Sequence, residues 1–87
     1  MTLKTGSFVQ SQKGRDKDNI YIVKRILDKK LELVDGNGKT ISKPKIKNIK
    51  HVVVLDGYAE KIASKFETEQ KVFDEEVYSA IKKFKNQ

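Results

Sequence analysis

Apolar positions change their spacing near residue 56, and the elements they predict change with it. Phe8-Val9-Gln10-Ser11 is a brief β-type run, followed by the polar loop Gln12 to Asn19. Ile20-Tyr21-Ile22-Val23-Lys24-Arg25-Ile26-Leu27 is dense in β-branched and aromatic residues, too continuous for a strand with one wet face and suited to a strand bent around a small barrel. Asp28-Lys29 makes a turn, and Leu31-Glu32-Leu33-Val34 alternates as a half-buried strand should. Asp35-Gly36-Asn37-Gly38 is a strong hairpin signal, which makes Lys39 to Lys43 the expected returning strand. Pro44 lacks a ladder donor and should end that strand; His51 to Leu55 is a fifth.

After Asp56 the period becomes helical. Asp56 or Gly57 is the expected cap of a helix with the stripe Tyr58, Ala59, Ile62, Ala63 and Phe66. A second stripe, Val77, Ala80, Ile81 and Phe84, follows the acids Asp74-Glu75-Glu76 and ends among Lys82, Lys83 and Lys85, matching the helix dipole at both ends. Glu67 to Phe73 reads as the loop between them, because a helix through Thr68 and Val72 has no clean apolar face. The expected fold is mainly β with C-terminal helices: a five-stranded small barrel over residues 1–55, and a helical extension over 56–87 that closes its open end within a single compact domain.

Eighty-seven residues allow one modest core and no large enclosed active site. The chain has no cysteine, which removes disulfides, thiolate metal sites and cysteine nucleophiles. No apolar run, Val52 to Leu55 included, exceeds four residues, and Met1 to Gly6 has no apolar stretch of signal-peptide type, so a cytoplasmic protein with no membrane association is expected. The net charge is +7, but its distribution is uneven. Residues 1–55 carry 13 Lys plus Arg against 5 acids, and residues 56–87 carry 6 Lys against 7 acids. The sharpest concentration is Lys39, Lys43, Lys45, Lys47 and Lys50, with no acid inside the segment, and a polyanion is the partner that relieves such repulsion.

The inventory argues against catalysis and against a cofactor. His51 is the single histidine, with no cysteine to pair with; none of the serines stands in a Gly-x-Ser-x-Gly elbow; Gly36 and Gly38 lack the Gly-Lys-Ser/Thr of a phosphate loop. Glu75-Glu76 and Asp16/Asp18 suit a helix start and a turn. Nucleic-acid binding uses what is present. Lys13, Arg15 and Lys17 surround Gly14, where a missing side chain lets a backbone N–H approach a phosphate. In Lys43 to Lys50, Ile46 and Ile49 are expected to pin the segment to the barrel while the lysines face outward. Two arginines and no tryptophan favour recognition of RNA shape over base reading, and Tyr21, in mid-strand, is expected in the core.

The run Ser11-Gln12-Lys13-Gly14-Arg15-Asp16-Lys17 leading into Ile20-Tyr21-Ile22-Val23 resembles the KOW element of SH3-like barrels. With Lys43-Pro44-Lys45, Lys47-Asn48-Ile49-Lys50-His51 and Asp74-Glu75-Glu76-Val77, the chain resembles stand-alone bacterial KOW-domain RNA-binding proteins, which are related to a small KOW-containing protein of the archaeal and eukaryotic large ribosomal subunit. The resemblance implies an SH3-like barrel and a non-catalytic, ribosome-associated role in translation. It implies docking on structured RNA, namely ribosomal RNA of the large subunit, by a protein that is monomeric when free. It makes Lys13, Gly14, Arg15, Lys17, Lys43, Lys45, Lys47 and Lys50 the expected RNA-binding residues, with Asn48 and His51 fixing loop and strand geometry. Asp18-Asn19 stands where the family places a glycine, and both residues tolerate left-handed backbone. Phe73 occupies the position of an expected capping hydroxyl, leaving Asp74 as the cap. Two alternatives remain open at this stage: an SH3-like protein-interaction module, and a KOW-type transcription-elongation or DNA-associated factor.

Overall fold

A computed structural model describes residues 2–87. Five strands are followed by two helices: β1 (Ser7–Ser11), β2 (Ile20–Leu27), β3 (Lys30–Val34), β4 (Lys45–Asn48), β5 (Val52–Tyr58), α1 (Glu60–Glu67) and α2 (Asp74–Lys85). The strands form one antiparallel sheet in the order β4-β3-β2-β1-β5. The outermost strands are consecutive in the chain, joined only by a single 3-10 turn, Ile49–His51. Four inter-strand spacings in a flat sheet amount to about 19 Å, whereas four residues reach at most about 14 Å. The sheet must therefore curl until its edges approach, giving a barrel-like sheet that stays open between β4 and β5.

Curling gives the sheet two apolar faces. Val9, Tyr21, Val23, Leu31 and Leu33 fill the concave side, with Leu3, Ile49, Val52 and Val54 packed against them. Phe8, Ile22 and Val34 project from the convex side into a second cluster with Ile62, Val72, Val77 and Ile81. Strand alternation sorts the residues: Tyr21 and Val23 go inward and Ile22 outward. The apolar continuity of β2 thus has a sharper cause than bending alone, since this strand is covered on both sides.

Three expectations are corrected. Lys39 to Lys43 forms no strand, and β4 begins after Pro44 instead of ending before it. Asp35 Oδ1 accepts hydrogen bonds from the N–H groups of Asn37 and Lys39, which closes the turn on itself. Ile41 then packs into the convex cluster, and its N–H bonds Asp74 Oδ1 at 2.9 Å, so this segment serves α2 and is lost to the sheet. Second, Asp56 and Gly57 cap nothing, because β5 continues through Tyr58 and Ala59 precedes α1 with no side-chain cap. Third, Asp74 is the first residue of α2 and not its cap; the Glu76 carboxylate accepts the Phe73 N–H at 2.9 Å in the manner of half a capping box. Thr68 to Phe73 separates the helices as a loop.

Candidate nucleic-acid interface

The loop between β1 and β2 is ordered by its own backbone. Asp18 N donates to Ser11 O and Ser11 N donates in return to Asn19 O, with Asp18 at φ 73 in the left-handed region that Asp tolerates. Gly14, at φ 86, occupies a conformation that a Cβ would strain, and a Cβ there would lie 3.4 Å from Asp16 Oδ1 and 3.7 Å from Lys47 Nζ. Lys13, Arg15 and Lys17 are all exposed on this loop.

Asp16 turns back from the same loop and ties it to β4. Its Oδ1 accepts from Lys47 Nζ at 2.9 Å and lies 3.0 Å from Ser11 Oγ; its Oδ2 accepts from the Tyr21 hydroxyl at 3.3 Å and lies 3.6 Å from Lys45 Nζ. Lys47 Nζ also donates to Lys13 O at 2.7 Å. Burial alone would raise the Asp16 pKa, but the hydrogen bonds from Lys47 and Ser11 and the charges of Lys45 and Lys47 outweigh it and hold the carboxyl at about 2. Burial pushes the Tyr21 hydroxyl up, so it stays protonated and donates. The side chains of Asp16 and Lys47 are only 11% and 10% exposed.

This geometry reverses the expected orientation of β4. Lys45 and Lys47 pair across the ladder with Leu33 and Leu31, both concave-side residues, so the two lysines point toward the seam of the curled sheet. Ile46 faces the other way and is 50% exposed. Alternation decides this, because neighbours in a strand cannot share a face and Asp16 claims the lysines. Ile49 does pack on the concave cluster, as expected. The Asn48 side chain accepts the Lys50 N–H, capping the 3-10 turn.

The two basic segments therefore lie side by side. Lys13, Lys50 and Lys47 also surround His51; burial, and then these three charges, lower its pKa from the ordinary imidazole value. Lys50 is exposed. Lys43 is exposed in the bend before β4, and no hydrogen bond or ion pair joins it to the loop. Asp16 was missed as a positioning residue by sequence reasoning. An acid flanked by Arg15 and Lys17 in a basic loop is the available signal, but the Lys47 partner that ties it to β4 lies 31 residues away. Among the described residues no group of three His, Cys, Asp or Glu could hold a metal ion, and no helix is long and apolar enough to cross a membrane. Comparison with protein-family models and with curated proteins returns no match to this chain.

Proposed function

We propose that the protein is a non-catalytic RNA-binding module of KOW type, docking on structured RNA, with ribosomal RNA of the large subunit as its target. The observation that carries this reading is the Asp16 junction, which locks the 12–19 loop against β4 and leaves Lys13, Arg15, Lys17 and Lys50 as exposed cations on two adjoining segments. A rigid arrangement of cations meets phosphates without the entropy cost of ordering a floppy loop on binding. Lys45 and Lys47 contribute by holding the surface in shape and by offsetting Asp16, so their charges reach RNA less directly than those of the exposed four.

Binding of a structured RNA is expected to weaken with salt, log K falling by roughly 0.7 to 0.9 per phosphate contact for each unit of log salt. Replacing Lys13 and Arg15 together with Ala should lower that slope by about two contacts. Lys61→Glu, on the helix that covers the convex face, should leave the slope near that of the wild type. A filter-binding series showing no salt dependence, or equal slopes for all three proteins, overturns the proposal. Recovery from lysate of one nuclease-resistant protein, with no ribosomal RNA, favours the protein-interaction alternative.

A further inference from the structure

Three of the seven aromatic side chains, Tyr58, Phe73 and Tyr78, are open to solvent. Lys4 Nζ covers the Tyr58 ring at 3.9 Å and Lys71 Nζ covers Phe73 at 5.0 Å. No cation lies over the Tyr78 ring among the described residues, and the residue is 50% exposed. Tyr78 instead helps to line a cleft of about 330 Å³ between α2, the turn after β3 and the end of the 12–19 loop. That volume is at the lower end of the range for small-ligand sites, roughly 300 to 1,000 Å³.

The cleft is built before any ligand arrives. Gly36, at φ 76, brings the 35–38 turn so close to α2 that a Cβ there would collide with the Asp74 carbonyl and stand 2.6 Å from the Tyr78 nitrogen. Asp35 fixes the turn through the N–H groups of Asn37 and Lys39, and the Ile41 N–H bonds Asp74, so the same loop is fastened to α2 a second time. Asn19, on the opposite rim, is held by the Ser11 N–H. Tyr78, Lys82 and Lys85 follow one another at spacings of four and three, which puts them on one face of the helix.

The chemistry is graded along the cleft: an aromatic wall, two lysines toward the end of α2, Asn37 with the Asp35 carboxylate at the turn, and on the opposite rim Asn19, whose Nδ2 also lies 3.5 Å from the Tyr21 hydroxyl. A carboxylate repels phosphate, so an anionic backbone is favoured at Lys82 and Lys85, and the turn end favours a neutral group. An amide offers both donors and an acceptor and can meet the edge of any base. We propose that this cleft receives one unpaired nucleotide of the bound RNA, its base stacked on Tyr78 with its edge toward Asn19 and Asn37, and its phosphates against Lys82 and Lys85. The proposal rests on the RNA-binding reading above and deepens it, because Asn19 closes the basic loop and one RNA can span both places. Bases in a continuous duplex are stacked and unavailable, so the site selects a loop or bulge.

The test compares two labelled RNAs by fluorescence anisotropy, a hairpin with an unpaired loop and a fully paired duplex of equal length. Tyr78→Ala is expected to weaken hairpin binding by about 5- to 100-fold, the range for losing one base–aromatic stack, and to change duplex binding less than about twofold. Tyr78→Phe keeps the ring and should bind the hairpin like the wild type. Circular dichroism checks that both variants fold. Wild-type affinity of Tyr78→Ala for the hairpin, or equal losses on both RNAs, overturns the cleft while leaving the basic face intact. A wild-type protein that binds neither RNA overturns both readings.

Discussion

Asp16 ties the 12–19 loop to β4 through one carboxylate shared among Ser11, Tyr21, Lys45 and Lys47. Its carboxyl titrates at about 2 in place of the ordinary 3.8, so it supplies stability that is complete above the ordinary value and is lost as pH falls toward 2. Asp16→Asn is expected to destabilise the protein by about 2 kcal/mol at neutral pH and to flatten the loss of stability between about pH 4 and pH 2, measured by denaturant unfolding across pH. An unchanged acid limb would show that other carboxylates govern it. His51 has the opposite chemistry and the same sign for folding: its pKa is lowered, so folding favours the neutral ring and protonation costs stability as pH falls. A phosphate placed among Lys13, Lys47 and Lys50 would raise that pKa, and binding would then take up a proton. RNA affinity should therefore rise as pH is lowered through the histidine range, beyond the change seen in His51→Gln; identical pH profiles for the two proteins count against phosphate at this spot.

Among the elements, α1 ends with a residue poorly suited to its backbone. Glu69 sits at φ 58 just past the helix, where Gln70 N bonds Lys65 O at 2.8 Å and Glu69 N bonds Phe66 O at 3.4 Å in a Schellman pattern. Glycine takes this conformation without the Cβ penalty, so Glu69→Gly should stabilise the protein by about 1 kcal/mol, near 5 °C in Tm, by thermal unfolding. No change in Tm would mean that the loop relaxes the strain. The elements also show which local signals were sufficient. β1, β2, β3, the second helical stripe and the Ile62, Ala63 and Phe66 part of the first are legible from periodicity, since their apolar faces meet large partners, whereas Tyr58 belongs to β5 and not to α1. The segment 39–48 is not. Turn chemistry at Asp35 to Gly38 promised an immediate hairpin, but Ile41 gains more from the convex cluster, and the ladder with β3 waits until Lys45.

For the whole molecule, the helices are a structural half of the fold and not an appendage. Phe8 stacks on Phe84 with ring centroids 4.2 Å apart, and the Phe84 ring fills the space above Gly57. Ile22 and Val34 are fully buried beneath the helices as well. A chain ended after Tyr58 would expose this convex face, and it is expected to aggregate or to lack a cooperative unfolding transition. A soluble, cooperatively folding 1–58 fragment would show that the concave cluster suffices alone. Charge follows the same division: the first 55 residues hold the basic excess, and the near-neutral helices cover the face turned away from the Asp16 junction.

Local pattern determined the β-to-helix order, the burial of Tyr21, the turn at Asp18 and the two basic segments, because each depends on residues close in the chain. Tertiary structure decided which strand pairs with β3, which way Lys45 and Lys47 point, and that Asp16 joins both basic segments. It also decided that Tyr78 stands over a preformed cleft. These outcomes depend on which face of a strand or turn meets a distant partner, and strand alternation makes that an all-or-none choice. A count of charges cannot reveal it: of the lysines between residues 43 and 50, Lys45 and Lys47 are held by Asp16, while Lys43 and Lys50 remain exposed.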